Sequence, residues 1–397
     1  MSKPNATINT IDPPPFAAWS RAPLAGLALA IVSLAPLTSA PPATIPHAMP
    51  LLGATFMHAD ARTRHAGMVS MRAVRVLPDG STQAVAPMLG RGADSWTQFV
   101  SASSRGPVVQ VGHESPRQGG ALVTASIDLQ NYLVGSGRAT QVTGYPGSHY
   151  NNAAIAAPGG WLFTSLLASG GQHVIWKPFR GRSVDLTPAA GSFAYGLALS
   201  PDGQTLAAHI NYQLNLSHRE GDSWGPFTRV NTGQVFNFKP QWSPDGRNIA
   251  FVAGPYGDHS DIWLCDADGS NPHKLASRNG YSGASPIFSD PSVDCHGGSS
   301  DVPCWWGNRI VFTASTDATT TNLYTTDTRG NVEQLTFSPP GTCHEWPAAS
   351  GQWLAFERRR GNQRDLWVVS PDGVRRRITR NAKGQSVIWP TWGRSNE

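Results

Sequence analysis

One short sequence unit recurs through the C-terminal half of this chain. Its clearest copy runs from the turn Ser243-Pro244-Asp245-Gly246, through the apolar run at 249–252, to Asp261-Ile262-Trp263. The turn residues return at 200–203 and at 370–373. In such a turn proline presets φ, aspartate bonds back to the backbone and glycine takes the positive φ. Each copy therefore predicts a tight turn between two short strands.

The spacing of these copies predicts the architecture. Leu197 and Pro240 are 43 residues apart, Pro303 and Pro347 are 44 apart, and Pro347 and Pro390 are 43 apart. The longer gap between Pro240 and Pro303 leaves room for an insertion of about twenty residues, placed between positions 281 and 300. A repeat of four short strands at a period in the forties is typical of β-propeller blades.

The two ends of the repeat region complement each other. The segment 387–393 opens a repeat and then the sequence stops, whereas 54–87 has later strands but no clear inner strand. Pairing the two segments removes an exposed strand edge. We therefore predict an all-β fold over residues 54–397: a six-bladed (alternatively seven-bladed) β-propeller of four-stranded antiparallel blades, closed by the C-terminal strand joining the N-terminal blade. Six blades are favoured because the early units are short and irregular.

The N-terminal segment differs in composition. Arg21 precedes an apolar run at 24–32, and Thr38-Ser39-Ala40 offers small residues for cleavage. This pattern predicts an export signal or an N-terminal anchor over 1–40, followed by a Pro-rich linker over 41–53. The protein is therefore expected to be periplasmic or secreted, with membrane contact only if the segment stays uncleaved.

Positive charge concentrates near the C-terminus. The chain has a net charge of +5, and the stretch from Gly351 to the end holds ten Lys or Arg against four Asp or Glu. Clusters at 358–360 and 375–377 either solubilise an outer edge strand or attract an acidic polymer, a phospholipid surface or a protein, as in a passive interaction scaffold. No aromatic residues interleave with these arginines, so no nucleic-acid partner is expected.

The order Ser-Pro-Asp-Gly, apolar strand, Asp-Ile-Trp and Asp-Ala-Asp-Gly resembles the TolB-like, or WD40-like PD40, propeller repeat. The match is good from Phe193 to Trp392 and poor before that. Proteins with this repeat include the periplasmic Tol-system protein, the propeller domains of prolyl-peptidase-type enzymes and oligogalacturonate lyases. The catalytic domain of those peptidases is not expected here, because the predicted N-terminal segment and propeller leave no residues for a hydrolase domain. The resemblance to the lyases implies a divalent metal held by His and amide side chains around the central channel.

Polar and aromatic residues gather where the predicted inner strands begin. Because every blade repeats one geometry around one axis, these residues are expected at one mouth of the channel. Recognition of a carbohydrate or a periplasmic or extracellular protein is the leading hypothesis. The candidate ligand-binding residues at these starts are His149, Asn152, Tyr195, Asn237, Gln241, Asp301 and Trp389, and His209 and Asn211 are added from the next strand of their blade.

The alternative hypothesis is an enzyme, a metal-dependent polysaccharide lyase acting on acidic oligosaccharides. Its chemistry abstracts a proton next to a carboxylate that a cation neutralises. Lys239 is then the candidate catalytic base, and His296, His344 and Glu345 are the candidate ligands of Mn, Ca or Zn. The insertion that ends in His296 and Asp301 is expected to overhang the channel mouth, because long insertions in regular repeats are often binding loops.

Overall fold

The computed structural model describes residues 51–57, 71–87, 89, 95–103, 105–114, 127–135, 138–148, 150–168, 170–255, 260–278, 303–381 and 384–393. Strands and turns make up this part of the chain, and no helix occurs in it. Accordingly, the same residues contain no helix long and apolar enough to cross a membrane. The predicted export segment and most of the predicted linker lie outside the described residues. The first strand begins at Leu51, three residues before the predicted start of the propeller.

Short strands follow one another along the whole described chain. The first eleven are β1 (Leu51–Met57), β2 (Arg72–Val76), β3 (Thr82–Ala84), β4 (Ser95–Ser103), β5 (Gly106–Glu114), β6 (Ile127–Gly135), β7 (Arg138–Gln141), β8 (Tyr150–Ala157), β9 (Gly160–Leu166), β10 (Gln172–Pro178) and β11 (Val184–Asp185). The next nine are β12 (Ala194–Leu199), β13 (Thr205–Ile210), β14 (Gln213–Glu220), β15 (Ser223–Trp224), β16 (Thr228–Arg229), β17 (Phe236–Trp242), β18 (Asn248–Gly254), β19 (Asp261–Asp266) and β20 (His273–Ala276). The last nine are β21 (Cys304–Trp306), β22 (Arg309–Asp317), β23 (Thr320–Thr326), β24 (Val332–Gln334), β25 (Thr342–Ser350), β26 (Trp353–Arg360), β27 (Gln363–Val369), β28 (Arg375–Arg377) and β29 (Gln385–Trp392).

Antiparallel pairing gathers the described strands into seven successive units. Unit 1 has the strand order β29-β1-β2-β3, so its first strand comes from the C-terminus. Units 2 to 7 comprise β4–β7, β8–β11, β12–β16, β17–β20, β21–β24 and β25–β28. Single parallel pairs, Leu129 with Tyr150 and Thr321 with Cys343, join unit 2 to unit 3 and unit 6 to unit 7.

The Pro-Asp-Gly turns form as the sequence predicts. Between β12 and β13, the Ser200 hydroxyl donates to the Asp202 carboxylate at 2.5 Å and accepts from the Thr205 N–H at 2.8 Å. Gly203 has φ 72°, a value that side chains disfavour. These bonds hold the Asp202 pKa below its usual value, as the Ser243 hydroxyl does for Asp245. The turn is therefore closed by its own side chains.

Neighbouring units are tied by a repeated tryptophan contact. The Trp242 indole N–H donates to the Ala198 carbonyl of the preceding unit at 3.1 Å, and Trp305 donates to the Gln241 carbonyl at 3.1 Å. The Trp392 indole makes the equivalent bond to the Ala348 carbonyl at 2.8 Å, which joins unit 1 to unit 7. The same indole-to-carbonyl hydrogen bond therefore links units 4 and 5, units 5 and 6, and units 7 and 1.

Apolar residues fill the spaces between the units. Phe356 and Leu354 of unit 7 pack with Val311 and Leu323 of unit 6. Unit 1 packs on two sides: Val387 and Trp392 belong to a cluster with unit 7, and Ala54 and Ile388 belong to a cluster with Leu129 and Tyr150 of units 2 and 3. Burial of these apolar side chains between neighbouring units supplies the main stabilisation of the fold.

Candidate functional site

The first strand of several units carries a β-bulge at a recurrent position. In β12 the register slips between Tyr195 and Ala198, in β17 between Phe238 and Gln241, and in β25 between Glu345 and Ala348. In β29 it slips between Ile388, which pairs with Ala54, and Thr391, which pairs with Leu52. Bulges re-aim side chains and often lie next to functional sites.

Left-handed backbone marks the same point of these four strands. The residues are Gly196 (φ 57°), Lys239 (φ 52°), Trp346 (φ 55°) and Trp389 (φ 55°). Lys239, Trp346 and Trp389 each precede a proline, where an extended conformation is normally preferred. A non-glycine residue held in this region costs about 1–3 kcal/mol and persists only where its surroundings hold it. Three large side chains therefore occupy positions at which glycine is the least strained choice.

Two of these side chains form an aromatic pair. The ring centroids of Trp346 in β25 and Trp389 in β29 are 5.5 Å apart, with the planes inclined by 50°. Both rings are half-buried. The Trp389 indole N–H is buried without a hydrogen-bond partner, a condition that costs free energy unless a bound group satisfies it. This pair joins Trp389, which the sequence predicted as a binding residue, to Trp346, which it did not.

Lys239 lies close to the neighbouring unit. Its ammonium is 5.2 Å from the centroid of the Phe238 ring. A Cβ atom on Gly196 would lie 2.9 Å from His209 Nδ1 and 3.5 Å from the Lys239 Cα. Glycine at 196 therefore allows unit 4 to approach Lys239 closely, and it brings together three of the predicted site residues, Tyr195, His209 and Lys239.

The imidazole of His209 is enclosed by aromatic rings. It stacks on Tyr195, with centroids 5.7 Å apart, and packs against Phe238 with centroids 4.5 Å apart and the planes inclined by 31°. The side chain is fully buried and neither ring nitrogen has a hydrogen-bond partner. Desolvation, followed by the charge of Lys239, holds the pKa of His209 well below its usual value. The imidazole is therefore neutral and does not serve as a general acid near neutral pH.

The predicted amide residues mostly hold the backbone. Asn237 donates to the Tyr212 and Gln234 carbonyls at 3.1 and 3.0 Å, and Asn211 accepts from the Phe193 N–H at 2.8 Å. Asn152 lies in a different region, where it accepts from Gln110 at 2.7 Å. The main-chain carbonyl of Gln241 receives the Trp305 indole described above. Asn211 and Asn237 thus fix the backbone of the segments around 193, 212 and 234, while Asn152 belongs to an amide network of units 2 and 3.

His344 and Glu345 are adjacent in β25 and take part in separate contacts. The Glu345 carboxylate accepts two bonds from the Arg359 guanidinium, at 2.8 and 3.3 Å. His344 Nδ1 lies 3.1 Å from the Ser338 hydroxyl, and the ring packs edge-on against Phe356. Burial, with the charges of Arg358 and Arg375, lowers the His344 pKa to about 4. Both side chains therefore already have protein partners.

The predicted metal set extends beyond the described part of the chain. His296 lies outside the described residues, as do His149, Asp301 and the insertion between 281 and 300. Within the described ranges, no three His, Cys, Asp or Glu residues are close enough to hold a metal ion together. Metal binding by His296, His344 and Glu345 stays a prediction.

Several residues of this region were missed by sequence reasoning. Buried Glu357 accepts from Arg364 at 2.5 Å and from the Trp389 backbone N–H at 3.3 Å. Nothing in the local pattern of β26 marks this carboxylate as buried. Trp346 did carry a signal, because Trp346-Pro347 aligns with Lys239-Pro240 and Trp389-Pro390 at the repeat period.

The arginine clusters lie in unit 7, and several members are engaged internally. Arg359 binds Glu345, and Arg377 binds Asp365 at 2.7 Å. Arg358 lies 5.6 Å from the centroid of the Trp367 ring. These contacts give the clusters a structural role within β26, β27 and β28.

The comparisons with known proteins bear on the fold. No family model matches the chain. A stretch of 101 residues is 30% identical to the Bacillus subtilis (strain 168) protein named uncharacterized peptidase YuxL, which covers 23% of this chain and 15% of that protein. A solved prolyl endopeptidase structure is similar at a TM-score of 0.54 and 11% identity, over 85% of this chain and 50% of that one.

Two further solved structures are similar to this chain at lower TM-scores. TolB from Acinetobacter baumannii gives a TM-score of 0.45 and 16% identity, over 87% of this chain and 66% of that one. An oligogalacturonate lyase in complex with manganese gives 0.48 and 14%, over 83% and 85%. This chain thus spans half or less of the length of the two peptidases it matches. The chain has an all-β fold of the propeller type and resembles TolB-like propellers.

Proposed function

We propose that this chain is an exported TolB-like β-propeller that binds a carbohydrate or protein ligand at the mouth of its central channel. Export, to the periplasm or the outside of the cell, is inferred from the apolar run at 24–32 that follows Arg21. The seven strand units are taken as seven blades, rather than the six that the sequence favoured. The packing of unit 1 against both unit 7 and unit 2 supports a closed ring.

The observation that carries the proposal is the left-handed backbone at Lys239, Trp346 and Trp389. If these residues served fold stability alone, glycine would be expected at this position, as Gly196 shows in unit 4, because glycine adopts positive φ without strain. Backbone strain retained at equivalent points of several blades is typical of binding sites. Aromatic rings with a nearby ammonium suit ligands that combine an apolar face with polar or acidic groups.

Lyase chemistry depends on the untested metal set and therefore stays an alternative. Metal analysis of the purified protein, with an assay for unsaturated uronate products from pectic fragments, tests it directly.

Replacing Trp389 with alanine is expected to weaken ligand binding at the channel by about tenfold to a hundredfold, because aromatic anchors dominate such sites. Trp389→Phe should restore most of the affinity, since it returns a stacking face. Calorimetric titration with cellohexaose, with trigalacturonate and with aromatic-containing peptides measures the effect. Equal affinity of Trp389→Ala and the parent chain for every probe that binds would contradict the channel proposal.

Lys239→Gly is expected to raise the free energy of unfolding by about 1 kcal/mol while it weakens binding of acidic probes, because glycine relieves the left-handed strain. Lys274→Ala is the matched control, since Lys274 lies on the outer strand β20 and pairs with Asp261. Urea unfolding and the same titrations measure both effects. Loss of stability in Lys239→Gly would show that the residue serves the fold.

A further inference from the structure

Six aromatic rings form a closed circuit where units 4 and 5 meet. The successive centroid distances are 5.0 Å (Phe193–Tyr195), 5.7 Å (Tyr195–His209), 4.5 Å (His209–Phe238), 5.4 Å (Phe238–Phe236), 5.5 Å (Phe236–Tyr212) and 5.9 Å (Tyr212–Phe193). We call these six residues the aromatic basin. Each ring contacts two others, so the basin is one continuous surface.

The basin is open to solvent on one side. Phe193 is 38% exposed and Tyr212 is 46% exposed, and the adjoining Val235 is 72% exposed. His209, at the opposite side of the circuit, is fully buried. Contiguous exposed apolar surface on a soluble domain marks an interaction site more often than scattered apolar residues do.

Tyr212 lies in a turn whose backbone conformation tyrosine disfavours. Asn211 and Tyr212 have φ 51° and 60° between the paired strands β13 and β14. Two-residue turns of this kind strongly favour Asn followed by Gly. Tyrosine in place of glycine costs stability, and it places an aromatic ring at the open side of the basin. Fold stability therefore does not explain the residue.

The buried end of the basin contains an unsatisfied polar group. Both ring nitrogens of His209 lack hydrogen-bond partners, although the ring lies between Tyr195 and Phe238. A buried polar group without a partner is unfavourable, and such groups in native proteins often mark functional sites. This second observation, independent of the exposed rings, also indicates a ligand.

The surrounding polar groups favour a peptide over a sugar. Carbohydrate sites need amides and carboxylates for the sugar hydroxyls. Here the Asn237 and Gln213 amide N–H groups donate to backbone carbonyls and Asn211 accepts from the Phe193 N–H, although Gln213 Oε1 is buried without a partner. The basin itself contains no acidic residue. Its only neighbouring charge among the described contacts is the Lys239 ammonium beside Phe238, which disfavours cationic ligands and complements an acidic one.

We infer that the aromatic basin anchors a tryptophan or proline side chain of a protein partner, in a peptide segment that carries an acidic residue next to the anchor. The inference rests on the proposed binding function and names the ligand class for its unit 4 and unit 5 side. Aromatic rings provide stacking faces for the anchor, and Lys239 faces the adjacent carboxylate.

The test uses the full chain and capped peptides of the form Gly-Ser-Trp-Glu-Ser-Gly, in saturation-transfer difference NMR with titration. The indole protons of the peptide should receive the strongest saturation. Replacing the peptide tryptophan by alanine should weaken binding at least about tenfold, and replacing its glutamate by lysine by about fivefold. Proline in place of tryptophan should retain measurable binding. Equal binding of the tryptophan and alanine peptides, or no binding of either, would overturn the inference.

Protein variants locate the site. Tyr212→Gly and Phe193→Ser should each weaken peptide binding at least about tenfold, with folding intact because both residues are substantially exposed. Asn271→Gly is the matched control, since Asn271 also has a positive φ, 53°, but lies in the turn between β19 and β20 and contributes no ring to the basin. It should change nothing.

The channel variant separates this inference from the proposed function. Peptide binding that is lost in Tyr212→Gly and kept in Trp389→Ala supports the basin, even if no ligand is found for the channel. Peptide binding that is lost in Trp389→Ala and kept in Tyr212→Gly supports the channel and overturns the basin. Binding of cellohexaose or trigalacturonate that depends on Tyr212, with no peptide binding, also overturns the inference.

Discussion

Replacing Arg364 with alanine is expected to lower the free energy of unfolding by about 3–5 kcal/mol, the cost of breaking a buried ion pair from one side. Arg364 in β27 is 3% exposed and donates to Glu357 of β26, which has no exposed surface. Its guanidinium also lies 4.0 Å from Glu345. Without Arg364, the two buried carboxylates depend on the Arg359 cation among the contacts described above.

The electrostatics of this network explain the size of the effect. Burial, with repulsion from Glu345, raises the pKa of Glu357, and burial lowers the Arg364 pKa to about 10. Each charge is thus unfavourable by itself and is tolerated because its partner is present. The Trp389 N–H, which donates to Glu357, connects the network to the strained residue of β29.

Urea unfolding followed by tryptophan fluorescence measures this prediction. Arg309→Ala is the matched control, because its partner Glu333 is 70% exposed at 3.4 Å and such pairs contribute about 1 kcal/mol or less. The double variant Glu357→Gln with Arg364→Met should recover much of the loss, since it removes both charges together. If Arg364→Ala costs no more than Arg309→Ala, the network does not hold β26, β27 and β29 together.

The turns and strands of the later units were predictable because their chemistry is local. Ser200, Pro201, Asp202 and Gly203 close a turn with bonds among themselves, and no distant residue is needed. Unit 2 shows the opposite case. The turn between its first two strands contains Ser103, Arg105 and Gly106 in place of Pro-Asp-Gly, so the repeat signal is weak there and the sequence left the blade count open between six and seven.

The site was predictable only in part, for a physical reason. Tyr195 and Lys239 were selected because they stand near the starts of inner strands, and His209 because it lies in the next strand of its blade. The structure brings these three together. The aromatic basin also needs Phe193 and Tyr212, whose rings meet only because the turn at 211–212 adopts positive φ. Sequence patterns of period two do not contain that information. The burial of Glu357 depends in the same way on Arg364, seven residues later and on the next strand.

Lowering the pH from 7 to 5 is expected to destabilise the fold, with His344 alone contributing about 2 kcal/mol. Its pKa is about 4 in the folded state, because it is buried beside Arg358 and Arg375, against an ordinary value of 6.5. Below pH 6.5 the unfolded chain therefore binds a proton that the folded chain does not. The stabilisation is fully present above pH 6.5 and is lost progressively as the pH falls toward 4. His209, whose pKa is also depressed by burial, acts in the same direction.

Another buried group, Glu357, also changes its protonation with pH and has to be separated from the two histidines. Glu357 has a raised pKa and acts in the opposite direction, since its folded form gains a proton more readily as the pH falls. The prediction is therefore read from the difference between variants. His344→Gln and His209→Phe should each flatten the dependence of unfolding free energy on pH between 7 and 5, relative to the parent chain. A slope that is the same in all three proteins would mean that both imidazoles reach solvent and protonate without unfolding, in which case His209 is not sealed beneath Tyr195 and Phe238.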